Sequence, residues 1–145
     1  MDPSESQRLL RVVASSDGAL IEVVCRPVEP AHWLQFLATA SQQGLPVKGR
    51  DLASDWSALH SNWVPVFDGS FSVAIKVGRQ TWTSCLWDLS CIDLQGNPRD
   101  VREAQDVEDI VALMQILSSV TKTPVLLLPE TSDYEATPPW LVVES

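Results

Sequence analysis

Carboxylates are the most numerous side chains in this sequence that could do chemistry. The chain carries 19 Asp and Glu against 10 Lys and Arg, a formal net charge of −9. Residues 1–50 hold five acids and five bases, so residues 51–145, with fourteen acids and five bases, account for the whole excess. Such a surface repels nucleic-acid phosphates and anionic lipid but attracts a basic protein, although solubility alone would also explain the charge. We therefore predict a protein partner with a basic surface, and neither a nucleic acid nor a membrane.

Three groups of acids are candidates for contacting that partner. The first group stands where a helix is predicted to begin and where the helix dipole favours anions: Asp106, Glu108 and Asp109. The second lies in a proline-bearing loop: Glu130, Asp133 and Glu135. The third is Asp88 alone, which interrupts an apolar strand and is more simply interpreted as an outward-facing residue.

Tryptophan is over-represented, with six copies against one tyrosine. Trp33 and Trp87 fall on predicted apolar faces and are expected in the core. Trp56 and Trp63 stand in an irregular stretch among Ser, Asp and Asn. An exposed indole supplies a large contact area at low entropic cost, so we predict Trp56 and Trp63 as anchors for a partner.

Catalytic and metal-binding patterns are weak. The two histidines, His32 and His60, and the three cysteines show no paired spacing such as Cys-x-x-Cys. There is no Gly-x-Ser-x-Gly motif, and the six glycines are not clustered into a phosphate-binding loop. We predict no catalytic residue, no metal site and no cofactor, and hence not an enzyme. A polar pocket with a strongly shifted carboxylate would favour the opposite interpretation.

The length of 145 residues indicates one domain, residues 1–145. No apolar run approaches the roughly 18 residues of a membrane helix, and the polar start, residues 1–5, lacks the features of a signal peptide. An odd number of cysteines favours reduced thiols, and Cys85 and Cys91 would be too far apart for a disulfide on one strand. We predict a cytoplasmic protein.

Hydrophobic periodicity predicts the elements that position these residues. Asp17-Gly18 between two apolar runs predicts a hairpin of residues 8–15 and 19–26, with Ile21, Val23 and Cys25 inward; a helix over 4–15 is the alternative. A second hairpin is predicted from strands 71–77 and 80–93. Helices are predicted over 30–43 and 101–119, the second with Asp100 as N-cap and Glu103 in a capping box. Further predicted strands are 125–128 and 140–143.

These elements predict an α+β fold in which a mostly antiparallel sheet of five to seven strands packs with two main helices, 30–43 and 101–119. In its size, its acidity, its acidic stretches 100–109 and 130–135, and Trp56 and Trp63, the chain resembles the small immunity proteins that bacteria make against their own secreted toxins. The resemblance implies a cytoplasmic inhibitor that covers the active site of a toxin, and a basic nuclease toxin would suit an acidic inhibitor. It concerns general character, so no residue role is carried over from it.

Two alternatives stay open. An acidic chaperone of a secretion system would hold an extended effector segment by adding it to a sheet edge. An uncharacterised enzyme would need a site assembled from distant carboxylates.

Overall fold

The computed structural model describes residues 1–16, 19–49, 72–85, 88, 90–131 and 133–144. Within them it has three helices and a seven-stranded antiparallel sheet, which confirms the predicted α+β class. The elements are α1 (Pro3–Ala14), β1 (Ile21–Cys25), α2 (Pro30–Gln42), β2 (Val47–Gly49), β3 (Val73–Val77), β4 (Gln80–Ser84), β5 (Ile92–Gly96), α3 (Ala104–Thr121), β6 (Val125–Pro129) and β7 (Leu141–Val143).

The strands run in the order β2-β3-β4-β5-β1-β6-β7, so β1 lies inside the sheet, between β5 and β6. In the β1 register, Glu22 pairs with Gln95 of β5 and with Leu128 of β6. All five residues of β1 are buried. A strand buried on both faces is normally apolar throughout, and Glu22 therefore stands out within β1.

Helices α1, α2 and α3 contribute to one large apolar core on one face of the sheet. Ile21, Val23 and Cys25 of β1 face this core, as predicted. The opposite face, which we call the open face, carries Glu22 and Val24. A second and much smaller apolar cluster lies there, made of Val24, Cys91 and Leu128 with Leu126 and Tyr134, and none of the three helices contributes to it.

The predicted hairpin of residues 8–15 and 19–26 is wrong, and the alternative helix is correct. Pro3 occupies the first turn of α1, and the Asp2 carboxylate accepts the backbone N–H of Glu5 at 2.9 Å. Leu9 and Val13, four residues apart, are the apolar residues that α1 buries. Helical capping and spacing therefore outweigh the β-branched composition of the segment.

The two predicted main helices are confirmed, but α3 begins later than predicted. Its N-cap is Glu103, and the carboxylate that closes the cap belongs to Asp106. Asp100 instead ends a short 3-10 turn, Pro98–Asp100, whose cap is the side chain of Asn97. The predicted capping box of Asp100 and Glu103 is therefore wrong, and the box that forms, Glu103 with Asp106, lies three residues further along the chain.

The predicted continuous strand 80–93 is two antiparallel strands, β4 and β5, joined by a connection that includes Asp88 and Cys91. The turn lets the indole of Trp82 lie against Gly96, where an added Cβ would meet the ring at 2.9 Å. Cys91 is buried and Cys85 is exposed, whereas the continuous strand would have placed these two residues, six positions apart, on one face. The three cysteines are free thiols.

Among the described tryptophans, Trp33 and Trp82 are fully buried and Trp140 is half-buried. The core position predicted for Trp33 is confirmed. The predicted partner anchors Trp56 and Trp63, and the predicted core residue Trp87, lie outside the described residues. None of the described helices has the length and apolarity needed to cross a membrane.

Candidate acidic binding site

A cavity of about 540 Å³ lies on the open face of the sheet. Its walls come from β1, β5, the β4–β5 connection and the segment that follows β6. We call it the acidic pocket, because four of its described lining residues are carboxylic acids and one is a cation. The lining residues are Glu22, Arg26, Asp88, Ser90, Cys91, Asp93, Gln95, Glu130, Thr131 and Tyr134.

Glu22 is the most deeply placed acid of the pocket, with only 3% of the residue exposed. Its Oε1 accepts a hydrogen bond from Gln95 Nε2 at 3.3 Å, whereas its Oε2 has no hydrogen-bond partner among the described residues. A buried carboxylate oxygen without a donor is unfavourable by about 1–3 kcal/mol or more. The unpaired oxygen therefore marks a place where a donor from outside the chain would be stabilising.

Burial is the main reason why the pKa of Glu22 is raised above that of an ordinary glutamate, and the charges of Asp93 and Glu130 raise it further. Hydrogen bonds from the Gln95 side chain and the Thr131 backbone oppose this shift without cancelling it. The charged form is thus disfavoured until a cation approaches.

Asp93 adds a second such carboxyl group beside the first. It is the β5 partner of Val24, which places it diagonally across from Glu22 on the same face of the sheet. Burial raises the pKa of Asp93, and hydrogen bonds from its own backbone N–H and from Ser84 Oγ, at 3.3 Å, offset this only in part. Two neighbouring strands therefore present a pair of carboxyl groups with raised pKa values.

The charged groups at the rim of the pocket have more hydrogen-bond and ion-pair partners than Glu22 in its interior. Asp88 accepts hydrogen bonds from the backbone N–H and the hydroxyl of Ser90, at 2.8 and 2.7 Å, and these lower its pKa. The guanidinium of Arg26 lies over the ring of Tyr134, 5.2 Å from its centroid, and 3.8 Å from Glu135. Arg26 thus neutralises the rim, and no ion pair joins it to Glu22 or Asp93.

The predicted acids at the start of α3 are not part of the acidic pocket. Asp106 is buried, and its Oδ2 accepts the backbone N–H groups of Arg102 and Glu103 at 2.8 and 3.0 Å. Its Oδ1 lies 2.9 Å from Arg79 Nε. Burial by itself would raise the pKa of Asp106, but these hydrogen bonds and the Arg79 charge outweigh it and lower the pKa. Asp106 is therefore engaged within the fold.

The other two predicted acids of α3, Asp109 and Glu108, are less buried than Asp106. Asp109 accepts a hydrogen bond from Gln105 at 3.0 Å and lies against Gly78 in the β3–β4 turn. Glu108 is exposed.

The predicted loop acids lie close to the pocket. Glu130 lines it, and Glu135 pairs with Arg26 at the rim. Asp133 stabilises the loop itself, because its Oδ1 accepts the backbone N–H groups of Glu135 and Ala136 at 3.2 and 3.1 Å. Of the seven predicted site residues that the structure describes, Asp88 and Glu130 are thus the two that line the pocket.

Sequence reasoning missed the two acids at the centre of the pocket, Glu22 and Asp93. A signal was present for each: Glu22 stands within the apolar run IEVVC, and Asp93 stands between Ile92 and Leu94. An acid inside a strand that is otherwise apolar is a candidate functional residue, because burying it requires a compensating partner.

Cys91 also lines the pocket, but as an unreactive thiol. Burial, with the negative charges of Asp93 and Asp88, raises the pKa of Cys91 to about 12. It is therefore protonated at neutral pH and is a poor nucleophile and metal ligand. No group of three or more His, Cys, Asp and Glu suited to a metal ion occurs within the described ranges. The pocket is best suited to a cation that donates hydrogen bonds.

No known protein family, characterised protein or solved structure has significant similarity to this chain. The ligand of the acidic pocket is therefore inferred from the contacts and charges of the pocket itself.

Proposed function

We propose that this protein is a protein-binding inhibitor of the bacterial immunity type, which neutralises a basic toxin by direct contact. The observation that carries the proposal is the acidic pocket, in which buried Glu22 keeps an unpaired carboxylate oxygen in a cavity lined by three further acids. A basic surface is common where an enzyme handles anionic substrates such as nucleic acid. An acidic surface that covers it would block the substrate and be steered to its target by charge.

The energetics also favour a binding role. Glu22 has already lost most of its hydration in the free protein, so little further desolvation of this group accompanies association. A cation that enters the pocket would gain a charge-assisted hydrogen bond in a place shielded from water and salt. Removing one member of such a buried interfacial pair typically weakens binding by about 2–5 kcal/mol.

A secretion chaperone is a second candidate, favoured by the edge of the sheet. β7 is the last strand in the sheet order and only three residues long, and Val142 on it is 42% exposed. An extended effector segment could pair with β7 by strand addition. The two functions differ in the partner: a chaperone would hold an unfolded secretion segment, whereas an immunity protein would inhibit a folded toxin.

An acid–base enzyme is a third candidate, favoured by the opposite pKa shifts of carboxyls in one cavity. Glu22 and Asp93 have raised pKa values and Asp88 has a lowered one. Such pairs serve as proton donor and acceptor in many active sites. An enzyme turns over its substrate repeatedly and acts in substoichiometric amounts. An inhibitor that acts by binding needs one molecule for each target, so the amount of protein required distinguishes the two roles.

The test begins with capture of partners from the native host by a tagged wild-type chain, followed by elution with increasing salt. Each recovered protein is then expressed alone and together with this chain in a host that lacks both. We expect a basic partner that arrests growth alone and is neutralised at a one-to-one ratio. A partner that is harmless until secreted would favour the chaperone, and neutralisation at strongly substoichiometric amounts would favour the enzyme.

A further inference from the structure

We infer that the acidic pocket receives a single arginine side chain of the partner protein, whose guanidinium group pairs with Glu22 and Asp93. This inference rests on the proposed function in one respect, namely that the occupant belongs to a protein. The contacts that carry it are the unpaired Oε2 of buried Glu22 and the adjacent, half-buried carboxyl group of Asp93.

The two carboxyl groups call for an occupant with several donors. They project from adjacent strands of a regular sheet, so their separation is held by the backbone pairing of β1 with β5. Gln95 supplies one donor to Glu22, and Ser84 supplies one to Asp93. A guanidinium group has five N–H donors in a planar fork and can bond two carboxylates at once.

Arginine fits this site better than lysine for two reasons. A guanidinium ion is less strongly hydrated than an ammonium ion, so moving it into a partly enclosed cavity is less unfavourable. The rim also has an aromatic ring, Tyr134, and the chain's own Arg26 already lies over it at 5.2 Å. The volume of about 540 Å³ falls within the usual range of pockets that enclose a ligand and leaves ample room for one side chain.

Among the residues that the structure describes, no cation forms an ion pair with Glu22 or Asp93. Arg26 follows β1 at the end away from Glu22, and its ion pair is with Glu135. The described groups that face Glu22 are the acids Asp93 and Glu130, the Gln95 side chain and the Thr131 backbone, all of which are acidic or neutral. An external cation is therefore the group that would complete the pocket.

Occupation should be linked to proton release. Glu22 and Asp93 hold their protons more tightly than ordinary acids, and a guanidinium group would favour their charged forms. Binding should therefore strengthen as the pH rises from about 4.5 to 7. The charges of Glu130 and Asp88, which also line the pocket, would attract the guanidinium group as well, and the charge of Arg26 would repel it.

The probe is a blocked peptide, acetyl-Gly-Arg-Gly-amide, followed by NMR on the full chain with the side-chain carboxyl carbons labelled. Matched peptides carry lysine, or citrulline, which keeps the shape of arginine but lacks its charge. For a single side chain we expect a Kd on the order of millimolar. The Glu22 carboxyl resonance and the Gln95 and Thr131 amides should shift, the lysine peptide should bind about threefold more weakly, and the citrulline peptide should not bind.

Glu22→Gln should weaken binding of the arginine peptide about tenfold or more, because the charge that pairs with the guanidinium is lost. The matched control is Glu108→Gln, which removes the same charge from an exposed position outside the pocket and should leave the affinity unchanged. Asp93→Asn is the second variant, so that the result does not depend on the folding of one protein.

Three results would overturn the inference: no shift of the Glu22 resonance at tens of millimolar peptide, equal affinity of wild type and both pocket variants, or tighter binding of free arginine than of the blocked peptide. The last would assign the pocket to a small molecule. The proposed function is tested separately. If wild type and Glu22→Gln neutralise a toxin equally well, the inhibitor function stands and the arginine pocket is refuted. If the arginine peptide binds but no toxin is neutralised, the arginine pocket stands and the inhibitor function is refuted.

Discussion

Asp106 and Glu22 are equally buried, with 2% and 3% of each residue exposed, yet their surroundings are opposite. Asp106 receives two backbone N–H groups and an arginine, and its pKa is lowered. Glu22 receives hydrogen bonds from two neutral groups, the Gln95 side chain and the Thr131 backbone, keeps one oxygen unpaired, and has a raised pKa. Burial alone therefore does not reveal the role of an acid; the donors and charges around it do.

The difference follows from where each acid stands in the fold. Asp106 lies at the start of a helix, where unpaired backbone N–H groups are available and an anion is favoured. Glu22 lies in the middle of a sheet, where the backbone N–H groups of β1 are already used by β5 and β6. The fold uses Asp106 to stabilise itself and leaves Glu22 available to a ligand.

The largest effect should come from removing Asp106. Asp106→Ala would leave the N–H groups of Arg102 and Glu103 without their acceptor and Arg79 without its buried partner, so we expect a loss of about 2–4 kcal/mol in the free energy of unfolding. Urea denaturation at pH 7 measures it. Glu108→Gln, on the same helix but exposed, should stay within about 0.5 kcal/mol of wild type. A loss below 1 kcal/mol for Asp106→Ala would mean that the cap does not stabilise the fold.

A somewhat smaller loss is expected from Gly96→Ala. The new methyl group would meet the ring of Trp82, whose Nε1 donates to Gln80 Oε1 at 3.1 Å, while Gln80 Nε2 donates to the Asp106 carbonyl at 2.8 Å. Overpacking at a site of this kind typically lowers stability by about 1–3 kcal/mol. The near-UV circular dichroism of the indole should change together with the unfolding midpoint. An unchanged midpoint would show that the Asp106 side of the molecule is less tightly packed than described.

Removing the charge of Glu22 should have the opposite sign. Glu22→Gln keeps an oxygen for Gln95 and abolishes a buried charge without a partner, so we expect a gain of about 0.5–1.5 kcal/mol in the free energy of unfolding at pH 7. The same urea experiment measures it. A loss of stability would show that the Glu22 carboxylate has enough partners within the free chain. Glu22 would then resemble Asp106, and the difference between the two acids would be refuted.

The two acids should also respond oppositely to pH. Asp106, with a lowered pKa, contributes stability above its unfolded value of 3.8 and loses it as the pH falls below that value. Glu22, with a raised pKa, contributes stability below its unfolded value of 4.5 and loses it as the pH rises through its folded value. Unfolding free energies between pH 3 and 7 should therefore show that Glu22→Gln flattens the upper part of the profile and Asp106→Ala the lower part. Identical profiles for the two variants would refute the distinction.

Helices were the most predictable part of this molecule. α2 and α3 have apolar residues at helical spacing, and the structure confirms both. In α1 the local composition is ambiguous, because its β-branched residues favour a strand, whereas Asp2 and Pro3 favour the start of a helix. The capping hydrogen bond that decides for the helix is visible only in the structure. The segment 80–93 differs from its prediction because Trp82 and Ile92, ten residues apart, fit the alternation of one long strand, although they lie on different strands, β4 and β5.

Individual site acids were less predictable than the fold. The helix-start acids were conspicuous because they are adjacent in sequence, yet Asp106 serves the fold. Glu22 and Asp93 come together only through the pairing of β1 with β5, across 70 intervening residues of the chain. A pairing over such a distance cannot be read from local periodicity, so the pocket becomes visible only in the folded molecule.

The most direct test is the pKa of the Glu22 carboxyl group, measured by carbon NMR in the free protein and with saturating arginine peptide. Our central prediction is a Glu22 pKa above the ordinary 4.5 in the free protein that falls when the peptide binds, while the pKa of Asp106 stays below 3.8 in both states. An ordinary or lowered pKa for Glu22 in the free protein, or one that the peptide leaves unchanged, would contradict it.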